Sequence, residues 1–259
     1  MAKYKIGVCQ SSAEMTTDSD AWTKLCATVA REAPHLFLLN EMPFGAWIAA
    51  GDTFDETAWS ESCSAHDDGV ARLSDIGARV VASSRPIRST DRRMNEAFLW
   101  SRDRQLQPVH TKQYFPDEEG YYEARWFQPG ERHFRTAPAD GLSCGFLICT
   151  ELMFNERARQ YGRAGAQVIL VPRATGGGSL DRWLVAMRMA AIVSGCYVIS
   201  SNRGGASARG QVFGGTGWII DPSGDLIAQT SETSPVAFHE IDTALVKQAQ
   251  ADYPCYVKE

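Results

Sequence analysis

Short apolar runs alternate with amphipathic stretches along the whole chain. Residues 4–10 (YKIGVCQ) are rich in β-forming side chains and read as a strand. Trp22, Leu25, Cys26 and Val29 then recur at i, i+3, i+4 and i+7, which is one face of a helix. Asp18 or Ser19 can cap that helix, and Pro34 lies just beyond it. The next stretch, HLFLLNEMPF, is a continuous apolar run, as expected of a strand buried on both faces. The chain therefore opens strand, helix, strand.

The same pattern continues. Helices are expected over 67–80, 155–166, 181–195 and 242–250. Strands are expected over 80–87, 95–101, 108–114, 143–149, 167–173, 196–202 and 235–241. Residues 217–231 read as two strands joined by a turn at Asp221-Pro222-Ser223-Gly224. No Gly/Ser/Pro-rich linker divides the chain and no fixed period repeats, so residues 1–259 are expected to form a single α/β domain. The longest irregular stretch is 113–133, a length usually reserved for functional or disordered loops. Seven aromatics between Tyr114 and Phe134 argue that it is packed.

Composition narrows the chemistry. A net charge of −5 points away from nucleic acid and from anionic membrane surfaces. No run of about 18 apolar residues is present to span a membrane, and the N-terminus has no long apolar region of the signal-peptide kind. A cytoplasmic location is the expectation. The seven cysteines are an odd count without C-x-x-C spacing, which argues against a disulfide framework and a zinc site. The five histidines form no H-x-x-x-H pair. Metal catalysis is not expected.

Ligands of α/β sheets sit at the carboxyl ends of strands. Glu41 ends one apolar run, Lys112 follows PVHT, Cys149 ends GFLI, and Arg173 ends QVILVP. A thiolate attacks carbon, a carboxylate can take and return its proton, and an ammonium can hold the charge that develops on the substrate. The backbone N–H of Thr150, at the start of a helix, can assist. Against this stand plain alternatives. A cysteine in an apolar run is commonly a core residue, and a Glu or Lys after a strand is commonly solvated.

At these residues the chain resembles the nitrilase superfamily of carbon–nitrogen hydrolases. The likeness covers essentially the whole chain, in order: YKIGVCQ, LLNEMPF with Glu41, HTKQYFPDEEGYYEARWFQPG with Lys112, LICTELMFNERARQYGRAGAQVILVPRAT with Cys149, then WLVAMRMAAIVSGCYVISSNRGG and GGTGWIIDPSGDLIAQ. The resemblance implies a four-layer α-β-β-α sandwich, a Glu–Lys–Cys triad, no cofactor, and a homodimer or larger homo-oligomer. The loop after Lys112 is similar to that of N-carbamoylputrescine amidase-like members. By that likeness Glu123 is a second glutamate that positions substrate and lysine, with Glu118 and Glu119 as alternatives.

The chain also departs from the family pattern. Thr150 replaces the usual aromatic or Asn, and Leu152 and Met153 stand where members acting on N-carbamoyl amino acids carry arginines. Arg173 is either a clamp for a substrate carboxylate or carbonyl, or an ion-pair partner of Glu151. Glu151 and Trp47 join Thr150 and Arg173 as candidate pocket residues, although a core tryptophan is equally in keeping with Trp47. The function implied is a cysteine-dependent amidohydrolase that cleaves a small linear amide or N-carbamoyl amine and releases ammonia. A nitrilase, an amide-forming acyltransferase, a catalytically silent binding relative and a papain-like Cys/His enzyme are the alternatives.

Overall fold

Alternation along β1 (Lys3–Ser12) sets the layering. Ile6 and Val8 enter the main core, whereas Cys9 enters a second one beneath a helix. Gly7, between them, leaves the space that the rings of Phe37 and Phe238 occupy, since a Cβ there would lie 2.7 Å from both. The structure is a computed structural model that describes residues 2–258.

From β1 the chain runs through α1 (Asp20–Glu32) to β2 (Leu36–Leu38) and α2 (Glu56–Ala71). The hairpin strands β3 (Val80–Ser89), β4 (Arg92–Ser101) and β5 (Gln105–Thr111) follow. A long loop carries the single turn α3 (Glu123–Trp126) and leads to β6 (Ala137–Ala139) and β7 (Leu142–Phe146). Then come α4 (Asn155–Arg163), β8 (Val168–Pro172), α5 (Leu180–Ser194) and β9 (Tyr197–Ala206). The chain closes with β10 (Val212–Gly214), β11 (Trp218–Ile220), β12 (Leu226–Gln229), β13 (Val236–Asp242) and α6 (Thr243–Ala251).

Two six-stranded halves result, ordered β5-β4-β3-β2-β1-β13 and β6-β7-β8-β9-β11-β12. They join where Gln10–Ser12 of β1 runs parallel to Asn202–Gly204 of β9. The halves stack as the middle layers of the α-β-β-α sandwich, and helices cover the outside. Over the first half, Trp22, Leu25 and Val29 of α1 pack on Phe37, Leu39, Val81 and Phe98. The apolar stripe read in α1 is thus its buried face, and Ser19 is the residue that caps it. Against the second half, Tyr161 of α4 fills the space beside Gly145. No helix among the described residues is long and apolar enough to cross a membrane.

The helix expected over 67–80 instead spans 56–71. The Asp55 carboxylate accepts from the N–H groups of Thr57 and Ala58 and so starts it early. Beyond Ala71 the chain tightens into a 3-10 turn, Leu73–Ile76, which ends at the left-handed Gly77. The 113–133 loop is packed: Trp126 Nε1 donates to Gly51 O at 2.7 Å, and Phe115 stacks on Phe127.

Candidate active site

Strand ends bring the chemistry together. Glu41 lies just past β2, Lys112 just past β5, Cys149 three residues past β7, and Arg173 just past β8. Backbone bonds hold these ends in register. Glu41 N–H donates to Arg173 O at 3.2 Å, Lys112 N–H to Asn95 O at 2.9 Å, and Leu147 N–H to Leu170 O at 3.0 Å. Cys149 itself has φ +49°, a conformation that is strained for a side chain with a Cβ and that tips the sulfur out of the strand line.

Lys112 is the hub. Its Nζ donates to Glu41 Oε1 at 2.7 Å and to Glu123 Oε2 at 2.5 Å, and all three side chains are buried. Asn95 Nδ2 donates to the same Glu41 oxygen at 2.8 Å, while Glu41 Oε2 is buried without a hydrogen-bond partner among the described residues. A buried oxygen with a free lone pair is an acceptor in waiting.

The charges act on one another. Burial would lower the Lys112 ammonium, but Glu123 and Glu41 outweigh it and hold it above its ordinary value. Burial pushes the Glu123 carboxyl up to about 8 against the pull of Lys112, with Glu41 adding to the rise. Burial also raises the Cys149 thiol, helped by Glu41; Lys112 and the Ala174 N–H work the other way.

A cavity of about 70 Å³ opens onto the sulfur, bounded by Tyr121, Glu123, Thr150, Thr175 and Trp183 among others. Larger grooves exist, including one of about 710 Å³ along Arg79, Arg102 and Asp140, but that groove is lined by no cysteine. The small cavity is the candidate site because the reactive groups converge there.

The structure sorts the candidates. Glu41, Lys112, Cys149, Glu123 and Thr150 meet at the cavity or directly behind it. Of the loop glutamates, Glu123 reaches Lys112; Glu118 is exposed at the cavity wall and Glu119 is exposed beyond it. Three residues read as pocket contacts stand one layer back. Glu151 is fully buried and accepts from Ile148 N–H at 2.8 Å and Gln113 N–H at 2.7 Å, while His110 Nε2 lies 2.8 Å from it. It braces the turn before Cys149 against the segment after Lys112. Arg173 neither pairs with Glu151 nor bounds the cavity; it bonds Ser200, Thr175 and Thr216. Trp47 Nε1 donates to Gly120 O at 3.0 Å and its ring backs Tyr121.

Asn95, Tyr121, Thr175 and Trp183 were not singled out from the sequence. Asn95 had a signal: with Glu96 it directly precedes the apolar run Ala97-Phe98-Leu99-Trp100. The others lie in loops or on a helix whose side facing the sulfur is set by packing.

Residues 72–251 match the family model of the carbon-nitrogen hydrolases, a span that takes in Lys112, Glu123 and Cys149. A deaminated glutathione amidase of Synechocystis sp. (strain PCC 6803 / GT-S) is 31% identical over 141 residues, 54% of this chain and 52% of that protein. The N-carbamoylputrescine amidase of Arabidopsis thaliana is 27% identical over 160 residues, 56% of this chain and 54% of that protein. The chain thus spans about half the length of these curated relatives. A solved carbon-nitrogen hydrolase from Helicobacter pylori G27 superposes with a TM-score of 0.86 at 20% identity, covering 98% of this chain and 94% of that one.

Proposed function

The chain belongs to the carbon-nitrogen hydrolase family, within the nitrilase superfamily, and from that premise we propose that it is a cysteine amidohydrolase. Its substrate would be a small linear amide or N-carbamoyl amine. The observation that carries this reading is the buried Glu41–Lys112–Glu123 cluster beside Cys149.

In the proposed reaction, the open Oε2 of Glu41 takes the thiol proton and the Cys149 sulfur attacks the amide carbon. The carbonyl oxygen becomes an oxyanion, held by Lys112 Nζ and by the Thr150 N–H. The C–N bond breaks as Glu41 returns its proton to the departing nitrogen, leaving a thioester and free ammonia. Water, activated by Glu41, then breaks the C–S bond and restores the thiol. Glu123 keeps Lys112 in place between two carboxyl groups. A cavity of about 70 Å³ holds only a few heavy atoms, so the acyl portion is small. A carbamoyl group or short acyl group suits it.

Cys149→Ala tests the reading directly. Ammonia release from a panel of carbamoylated amines, β-ureido acids and simple amides is expected to vanish while the circular dichroism spectrum is unchanged. Turnover at the wild-type rate would sink the assignment. Wild-type activity on nitriles alone, or acyl transfer to hydroxylamine in preference to water, would redirect it to nitrilase or acyltransferase.

We also propose a homodimer. Val185, Met189 and Ile192 form an exposed apolar stripe on α5, which supports self-association. A single-chain mass in light scattering would count against it.

A further inference from the structure

Arg173 is a fully buried guanidinium, and no acid among the described residues pairs with it. Its Nε donates to Ser200 Oγ at 2.5 Å, and its two Nη groups donate to Thr175 Oγ1 at 3.0 Å and Thr216 O at 2.6 Å. Its Cζ lies 4.2 Å from the centroid of the Trp218 ring and 5.7 Å from that of Trp183. All of these partners are neutral, and Arg173 forms no ion pair with a described Asp or Glu. A buried charge without a counter-charge is strongly unfavourable, and burial here pulls the guanidinium down to about 9. Something nearby must make the charge worth keeping.

The surroundings point to one group. Cys149 is the one ionisable side chain whose charge acts on Arg173. The next residue, Ala174, offers its N–H to the Cys149 sulfur. Thr175 and Trp183 touch the guanidinium on one side and bound the cavity on the other, so Arg173 sits one side chain behind the substrate.

Activation of the thiol moves one proton from Cys149 to Glu41 and one negative charge from Glu41 to the sulfur. That charge leaves the carboxylate bonded to Lys112, 2.7 Å away, and loses part of its compensation. The groups that face Cys149 are Glu41 past β2, Lys112 past β5, Tyr121 and Glu123 in the loop, and Arg173 past β8. Arg203 of β9 acts on Glu41 instead. Lys112 also steadies the thiolate but stays bonded to Glu123, so Arg173 is a second cation placed behind the sulfur to share the displaced charge.

Given the nucleophile reading above, we propose that Arg173 is a positioning residue: its buried, acid-free guanidinium offsets the thiolate of Cys149 and sets the pH at which that sulfur reacts, without touching substrate.

The test is the pH profile of Cys149 alkylation by iodoacetamide, read by mass spectrometry of its peptide in the full-length protein. Arg173→Gln and Arg173→Met remove the charge; Arg173→Lys keeps it. In the neutral variants the profile is expected to move up by about one pH unit, so that alkylation on the acid side is about tenfold slower. Arg173→Lys is expected to stay within half that shift. The kcat/KM profile should move in parallel, and the KM ratio of carboxylate-bearing to uncharged amides should not change. Superimposable profiles for wild type and neutral variants would overturn the proposal. A loss confined to carboxylate-bearing amides would make Arg173 a substrate clamp and overturn it equally. Should the neutral variants not fold, a lysine variant shifted by a full unit overturns it alone. Failure of the nucleophile reading is seen separately, as ammonia release by Cys149→Ala.

Discussion

At Lys112 three buried titratable groups meet within hydrogen-bond distance, and each defines what the others can do. Glu41 spends one oxygen on Lys112 and Asn95 and keeps the other unbonded. Glu41→Gln should therefore preserve most of the packing but remove the base. Steady-state kinetics are expected to show kcat lower by about 10² to 10⁴, the usual worth of general acid–base catalysis. A change of less than tenfold would mean that another group moves the proton. Asn95 explains why this side chain is held still, and its Nδ2 contact could not be read from a strand pattern that marks only apolar positions.

Among the elements, two bonding arrangements set the site from outside it. Glu151 ties the segment after β5 to the turn after β7, and its partner His110 is held above its ordinary value because the Glu151 carboxylate outweighs burial. Glu151→Ala leaves the buried His110 ring and two backbone donors without their partner. It should destabilise the fold by about 3 to 5 kcal/mol in urea titration, with kcat falling together with stability. Glu151→Ala as stable as wild type would refute the bracing role. The second arrangement is the α4–α5 crossing. A Cβ on Gly162 would lie 2.2 Å from Ser194 O, which is backbone and cannot swing aside. Gly162→Ala is expected to cost about 1 to 3 kcal/mol and, because α5 carries Trp183 at the cavity, to raise KM as well.

The whole molecule adds a pH dependence. His66 is fully buried; its Nδ1 donates to Ser62 O at 2.7 Å and its Nε2 accepts from Phe44 N–H at 3.4 Å, so it is held neutral. Burial lowers it from 6.5 to about 4. The unfolded chain therefore binds the extra proton between those values, and this contribution to stability is lost as pH falls from 6.5 to 4. Its full extent is about 3 kcal/mol. Glu123, raised from 4.5 to about 8, has the opposite sense: its contribution is lost as pH rises across that range. The difference between wild type and His66→Gln isolates the first effect. The variant's stability, from urea titrations at pH 4 and 6.5, should fall less on acidification. Equal falls would show that His66 is not the titrating group.

The period of apolar positions was enough to place the strand–helix alternation, because that period is a property of each segment alone. Glu41, Lys112 and Cys149 stood out as candidates because each lies at or near the end of a β-patterned run, where such sheets bind, and because those stretches resemble the family's motifs. Other features depend on neighbours distant in sequence. Glu123 rather than Glu118 or Glu119 meets Lys112 because α3 turns that one side chain inward. Glu151 left the pocket for His110, 41 positions away, and Arg173 took neutral partners rather than an acid. The start of α2 moved because the Asp55 side chain outcompeted the apolar pattern downstream. Local pattern sets which segments are strands and which residues end them; only close packing decides which buried charges find a partner and which are left to act on the sulfur.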